Sequence, residues 1–99
     1  MQRLKVKKGN YGFKFEFTIT DADGNPVDLT NLTVVLKIWN QTSKEISCTI
    51  TDAAAGKCEC TVPEGTFDEV GLYKAEIELQ GMNYVEDTET FLIEVIESA

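Results

Sequence analysis

The sequence predicts an all-β protein, an immunoglobulin-like antiparallel β-sandwich of about seven or eight strands. Apolar and polar residues alternate in several short segments, which is the side-chain repeat of a β-strand. Turn-forming residues separate these segments at intervals of roughly 8–12 residues. No segment keeps the apolar spacing of an amphipathic helix. A small β-barrel is the alternative architecture.

Length and composition favour one folded domain over residues 1–99. The chain has 99 residues, of which 42% are hydrophobic, enough for one hydrophobic core. It has no run of about eighteen apolar residues that would predict a membrane-spanning helix. Its N-terminal segment lacks the apolar stretch of a signal peptide. We therefore expect a soluble domain made in the cytosol without a membrane partner, and a virion or cell-surface destination stays open.

The first two predicted strands differ in the strength of their alternation. Residues Arg3–Lys7 alternate weakly and predict a short edge strand, whose lysines would discourage aggregation. Residues 12–20 alternate most strongly, with Phe13, Phe15 and Phe17 on one face. Such a face requires a second layer to cover it. We expect it to pack against apolar side chains of later strands, namely Leu36, Ile38, Tyr73, Ile77 and Phe91.

Residues 21–29 are rich in Asp, Gly, Asn and Pro and predict a turn. Asp21 and Asp28 could contribute oxygens to a cation site, but an EF-hand loop counted from Asp21 requires Gly at the sixth position and Glu at the twelfth. The sequence has Pro26 and Leu32 there. We interpret the segment as a polar turn and expect no metal or cofactor, while a looser cation site stays open.

Residues 33–40 predict the third strand. Val34, Leu36 and Ile38 alternate on the face expected to point inward. Trp39 then lies on the opposite face near the strand end, either at the rim of the sandwich or in an interface.

Residues 45–62 predict a β-hairpin. In its expected register Thr51 pairs with Lys57 and Cys48 pairs with Cys60. The chain has three cysteines, an odd number that argues against a closed disulfide framework. We expect free thiols that behave as small hydrophobic residues. A Cys48–Cys60 disulfide is the alternative and would leave the third cysteine unpaired.

The C-terminal half predicts two more strands after a longer connection. We expect one helical turn around residues 66–70. Residues Gly71–Leu79 alternate and place Tyr73 inward, where it matches a tyrosine corner whose hydroxyl bonds back to upstream backbone. Residues Tyr84–Ile96 predict the last strand, although acidic residues weaken the pattern in its first half.

The chain is acidic, with nine basic and seventeen acidic residues and a formal net charge of −8. This balance disfavours nucleic acid, whose phosphates require a basic face. Five bases precede the first acid, Glu16, whereas ten acids and a single base, Lys74, lie between Glu64 and the C-terminus. Solvated strand faces explain this distribution. Head-to-tail self-association and docking of the basic N-terminal strand on an acidic partner are the alternatives.

An interaction surface is expected rather than an active site. The chain has no histidine, so the commonest general base and the Ser–His and Cys–His nucleophile pairs are absent. The carboxylates fall on predicted outward faces, and we assign no catalytic residue. The candidate interaction residues are basic side chains of the N-terminal segment and aromatic side chains outside the core pattern: Arg3, Lys5, Lys7, Lys8, Tyr11, Trp39 and Tyr84.

The order of these segments resembles a known family. GFKFEFTIT runs into DADGNPVDLT, followed by TVVLKIWN, the hairpin ITDAAAGKCECTV, GLYKAEIEL and a closing FLIEV. This order resembles the immunoglobulin-like N-terminal domain of baseplate upper proteins from tailed phages and prophages of Gram-positive bacteria. The resemblance extends from about Tyr11 to Val95.

The resemblance implies a non-enzymatic virion component of the tail or baseplate. In that family the domain acts as a mount that fixes a longer fibre or receptor-binding assembly, so the implied partners are other tail and baseplate proteins. The sequence stops at Ala99 without a downstream stalk, which suggests either a fragment or a small tail protein that packs beside others. A carbohydrate- or cell-surface-binding module is the alternative and predicts two or more exposed aromatic residues in one shallow groove.

Overall fold

Eight β-strands and no helix make up the regular structure of residues 3–98, the part of the chain that this computed structural model describes. The strands are β1 (Arg3–Lys7), β2 (Lys14–Thr18), β3 (Thr33–Trp39), β4 (Ser43–Asp52), β5 (Lys57–Thr61), β6 (Gly71–Gln80), β7 (Val85–Asp87) and β8 (Phe91–Ile96). The prediction of an all-β chain with seven or eight strands is confirmed.

The strands form a single mixed sheet in the order β1-β8-β6-β3-β4-β5-β2, and β7 pairs with β6. All strand pairs are antiparallel except β1–β8, which is parallel from Arg3↔Leu92 to Lys7↔Ile96. The prediction of an antiparallel arrangement throughout is therefore wrong at this pair. Parallel strands need a long connection, and here the whole chain between β1 and β8 provides it. The alternation within β1 carries no information on strand direction.

The sheet curls because β4 serves two different neighbours along its length. Its first half pairs with β3 as far as Cys48↔Val34, whereas its second half pairs with β5 from Thr49 onward. The curl carries β5 and β2 over the inner side chains of β6 and β8. The rings of Phe17 and Phe91 then lie 5.8 Å apart between their centroids. The result is a half-barrel, and the immunoglobulin-like sandwich stays a prediction.

A β-bulge changes the predicted register of the β4–β5 hairpin. The pairs Thr49↔Glu59 and Ile50↔Cys58 match the prediction, but Lys57 pairs with Asp52. The predicted pairing of Lys57 with Thr51 is therefore wrong. An extra residue on one strand increases the local twist, a feature that alternation alone does not reveal.

Residues 64–67 form a turn, so the prediction of a helical turn around residues 66–70 is wrong. The Thr66 hydroxyl donates a 2.8 Å hydrogen bond to the carbonyl of Pro63. Gly65 adopts a φ of 86°, which lies outside the helical region. The turn directs Phe67 into the core, where its side chain is fully buried.

The predicted last strand, Tyr84–Ile96, is divided into β7 and β8. Thr88 lies in the interruption and donates its N–H to the carbonyl of Ile77 at 2.9 Å. Its hydroxyl oxygen accepts the N–H of Ile77 at 3.0 Å. A side chain therefore replaces a backbone carbonyl in the ladder, and the chain shifts before pairing resumes at Phe91.

The core combines inner residues of nearly all strands with Phe67 from a loop. Val34, Leu36 and Ile38 are buried as predicted. Phe15 contacts Phe67, with ring centroids 6.3 Å apart, in addition to the Phe17 contact with β8. The remaining buried apolar residues are Val6, Ile19, Leu29, Ile46, Cys58, Cys60, Val62, Tyr73, Ala75, Ile77, Leu79, Ile93 and Val95.

Phe67→Ala is expected to lower the free energy of unfolding by about 3–5 kcal/mol, because it leaves a cavity between two aromatic neighbours. Val70→Ala, in the same connection, removes a side chain that is 48% exposed and is expected to change stability by less than about 0.5 kcal/mol. Urea denaturation monitored by circular dichroism measures both. Equal losses for the two variants would contradict the burial of Phe67.

Gly56→Ala is expected to cost more stability than Gly24→Ala. Both glycines have positive φ, 71° and 83°, so alanine at either position carries a backbone penalty of about 1–2 kcal/mol. A Cβ on Gly56 would also lie 2.5 Å from the carbonyl oxygen of Ile19, whereas one on Gly24 meets nothing within 4 Å. Thermal unfolding of both variants tests this order, and a smaller loss for Gly56→Ala would contradict it.

Candidate interaction surface

One row of side chains crosses the outer face of the sheet from β1 to β4. From β1 to β4, the residues that stand opposite one another in this row are Arg3, Leu92, Lys74, Trp39 and Ser43. Directly opposed residues of neighbouring strands share a face. Basic and apolar side chains therefore alternate across the outer surface along this row.

A second row lies beside the first and consists of Lys5, Glu94 and Leu72. Leu72 is 49% exposed although it lies on a central strand. Arg3 approaches Glu94 with 3.8 Å between Nη1 and Oε1, and such an exposed ion pair contributes little stability. We call the following set the outer patch: Arg3, Lys5, Trp39, Leu72, Lys74 and Leu92.

The structure brings four of the predicted interaction residues onto this face. Arg3, Lys5 and Lys7 project outward from β1, since the alternate residue Val6 is buried. Trp39 lies three strands away from Arg3 in the same row, which corresponds to about 14 Å at the usual strand spacing. The alternation within β3 predicts that Trp39 lies on the outer face. Its position in the same row as Arg3 of β1 follows only from the strand order.

The other three predicted residues lie elsewhere. Lys8 follows β1 and donates its N–H to the carbonyl of Ile96 at 2.8 Å. Tyr11 is 56% exposed in the connection to β2. Tyr84 lies beyond the opposite end of β6, where its ring covers Gly81 so closely that a Cβ there would meet the ring at 2.5 Å. The three aromatic candidates therefore do not share a groove.

A charge network at the other end of the outer face was missed by the sequence analysis. Lys37 on β3 contacts Glu78 of β6 at 2.9 Å and Asp87 of β7 at 3.6 Å. Hydrogen bonds from Gln80 and then Lys37 lower the pKa of the Glu78 carboxyl. The hydrogen bond with Glu78 raises the pKa of Lys37. No spacing in the sequence indicates this network because its members come from three strands.

The three cysteines form a cluster of free thiols on the inner side of the β4–β5 hairpin. Cys58 and Cys60 are 1% and 2% exposed, respectively. Hydrogen bonding with these two thiols, together with burial, raises the pKa of Cys48. Buried free thiols at these positions pack as small core residues.

The turn residues singled out in the sequence serve the backbone. Asp21 Oδ1 accepts the N–H groups of Asp23 and Asn25, both at 2.9 Å. Asp28 Oδ1 accepts the hydroxyl and the N–H of Thr30, and these hydrogen bonds lower its pKa. Within residues 3–98 no group of three or more His, Cys, Asp or Glu residues is placed to hold a metal ion.

Tyr73 forms the predicted tyrosine corner. Its hydroxyl donates a 3.0 Å hydrogen bond to the carbonyl of Glu69, four residues upstream. Its ring packs edge-on against Phe67, with 5.8 Å between the ring centroids. The tyrosine therefore fixes the loop that carries Phe67.

The described part of the chain contains no helix long and apolar enough to cross a membrane.

Comparison with known proteins identifies the family. Residues 2–99 match the model of the BppU N-terminal domain, the N-terminal domain of the baseplate upper protein. The chain belongs to this family. The resemblance inferred from the order of the segments is thus confirmed over nearly the whole chain. No curated protein matches the sequence.

A solved structure supports the fold. The N-terminal domain of phage TP901-1 ORF48 superimposes with a TM-score of 0.70 and 19% sequence identity, covering 96% of this chain and 84% of that chain. At this identity the similarity concerns the fold alone. Membership of a baseplate domain family indicates a structural, non-enzymatic role in a phage tail, in association with other phage structural proteins.

The stabilising effect of the Lys37–Glu78–Asp87 network is expected to disappear at low pH. The pKa of Glu78 is lowered from its ordinary value of 4.5, so its contribution is present above that value and is lost as pH falls through the lower pKa of the folded state. Glu78→Gln should therefore lower the urea midpoint at about pH 7, and this difference from the wild type should shrink progressively as the pH falls below the ordinary pKa of 4.5.

Glu64→Gln is the control for this prediction, since Glu64 is exposed in a turn and makes no ion pair in the described structure. A constant difference in midpoint between Glu78→Gln and the wild type across the pH range would contradict the prediction.

Proposed function

We propose that this chain is a non-enzymatic mounting domain of a phage or prophage baseplate, which uses the outer patch to dock onto an acidic surface of a neighbouring tail protein. It acts as one immunoglobulin-like module that spans residues 1–99 and holds a larger assembly on the tail. It is made in the bacterial host cytoplasm and functions in the virion. Family membership supports the tail location, and the outer patch supports the docking surface.

The apolar part of the outer patch supports protein binding. Leu72 is half exposed on the central strand β6, in the row beside the one that contains the half-buried Leu92 of β8 and Trp39 of β3. Large apolar and aromatic side chains of this kind provide the desolvated centre of protein interfaces. Burying Leu72 against a partner would remove apolar surface that water now contacts.

The charge of the outer patch supports an acidic partner. The outer patch contains three bases, Arg3, Lys5 and Lys74, around a single acid, Glu94, in a chain whose net charge is −8. Lys74 extends the basic surface toward Trp39 along the row. Complementary charges steer association and fix orientation. The same basic surface on a second copy could meet the acidic end near Glu78 and Asp87, so self-association is measured beside binding.

The carbohydrate-binding alternative has no observation in its favour. It predicts two or more exposed aromatic side chains in one groove, whereas Trp39, Tyr11 and Tyr84 lie in three different parts of the molecule. Nucleic acid is not an expected partner because of the strongly negative net charge.

Charge reversal in the outer patch is expected to reduce incorporation into phage particles. Lys5→Glu should lower the amount of this protein in purified virions by roughly tenfold, because like charges then face each other across the interface. Leu72→Asp should have a similar effect through loss of apolar contact. Quantitative mass spectrometry of virions purified from a host that expresses each variant measures incorporation.

Lys57→Glu is the matched control, since Lys57 is an exposed base on β5 in the other half of the sheet. The docking proposal is wrong if Lys57→Glu and Lys5→Glu reduce incorporation equally while both variants retain the wild-type unfolding midpoint. Light scattering over a salt series accompanies the assay, and a monomer at every salt concentration would exclude head-to-tail self-association.

A further inference from the structure

An open cleft of about 630 Å³ lies on the side of the half-barrel where the curl fails to close. One wall is the end of β2 and the turn that follows it, and the other wall is β7 with residues 88–90. Phe17, Val27 and Phe91 line the floor and are half-buried. The rim carries Asp21, Glu86 and Glu89.

The first wall presents a free strand edge. The N–H of Val62 donates to the carbonyl of Phe13 at 2.9 Å, and the N–H of Ile19 donates to the carbonyl of Gly56 at 2.8 Å. Phe13 and Ile19 therefore form their backbone hydrogen bonds on the side of β2 that faces β5. Hydrogen-bonding direction alternates along an antiparallel pair, so Glu16 and Thr18 direct their N–H and C=O groups away from β5. β2 is the last strand in the described sheet order.

The second wall presents another free edge. Thr88 bonds with Ile77 of β6, and Glu86 stands directly opposite Leu79 of the same strand. By the same alternation, Val85 and Asp87 direct their backbone groups away from β6. Val85 is also 64% exposed. Within residues 3–98, β7 pairs with β6 alone.

The charge of the cleft restricts what can occupy it. The residues that line it include four acids and no lysine or arginine. Glu86 shares the inner face with the buried Leu79, so its carboxylate lies on the wall of the cleft rather than on the outer face. Glu86 and Glu89 make no ion pair among the described residues, whereas Asp87 is engaged by Lys37.

We propose that this cleft binds an extended segment of a neighbouring tail protein, which adds to the edge of β2 as a further strand and alternates apolar with basic side chains. The backbone groups of Glu16 and Thr18 pair with the segment. Its apolar side chains cover Phe17 and Phe91, and its basic side chains face Glu86 and Glu89. Addition of a strand to a free sheet edge is a recurrent mode of peptide recognition.

This inference rests on the proposed function for one point, that the partner is a tail protein. The cleft is separate from the outer patch, so the proposal for one site can be refuted while the proposal for the other stands. The outer patch has basic side chains and favours an acidic partner surface, whereas the cleft has acidic side chains and favours a basic segment.

The experiment uses a synthetic peptide as the probe, Ac-TKVRVKVT-NH2, with Ac-TEVEVEVT-NH2 as the peptide of opposite charge. Titration of the isotope-labelled protein is followed by amide chemical shifts in NMR spectra. The basic peptide is expected to shift the amides of Glu16, Thr18 and Asp87, and the acidic peptide to bind at least about tenfold more weakly.

Two variants test the assignment of the cleft. Glu89→Lys is expected to weaken binding of the basic peptide about tenfold through charge repulsion. Glu64→Lys makes the same charge change on a distant turn and should leave binding unchanged. Thr18→Pro removes an N–H that points away from β5, which edge strands tolerate, and should abolish binding. If Thr18→Pro does not fold, Glu89→Lys still decides the charge assignment and the shift map still decides the location.

The inference is overturned if the peptide shifts amides of the outer patch instead of the cleft, or binds equally well to Glu89→Lys and to the wild type. Absence of binding at millimolar peptide would also overturn it. Lys5→Glu should leave peptide binding unchanged. If the wild type binds the peptide and the Lys5→Glu variant still enters virions normally, the proposed docking role of the outer patch is refuted and the proposed binding role of the cleft stands.

Discussion

The phenylalanine face of β2 has to be covered, and the way in which β4 changes partners makes this cover available. Because β4 pairs first with β3 and then with β5, the sheet folds over itself and brings Phe15 and Phe17 against Phe67 and Phe91. A flat sheet with the same strands would leave these rings in water. The covered hydrophobic core and the open cleft are both consequences of this curl.

The outer patch and the open cleft also differ in charge. The outer face collects the basic side chains of β1 with the half-exposed Leu72, whereas the mouth of the half-barrel collects Glu86 and Glu89. Under the two proposals above, the outer patch and the cleft would each bind a partner of opposite charge. Such a division suits a component that connects other proteins of a phage tail.

The sequence predicted the strands well, because period-two alternation is a local property, and the inner faces of β3 and β6 follow from it. It placed the hydroxyl of Tyr73 correctly because the tyrosine corner bonds only four residues away. It missed Phe67, which lies in a loop without periodicity. It also missed the bulge opposite Lys57 and the interruption at Thr88, since both depend on hydrogen bonds between strands.

The sequence by itself determined that this protein is all-β, that its core is built from alternating strands, and that its segment order is that of a baseplate domain. The tertiary structure decided the parallel pairing of β1 with β8, the row that joins Arg3 to Trp39, and the position of Tyr84 beyond the far end of β6. The physical reason is that alternation specifies the face of each side chain. It does not specify which strand lies beside which.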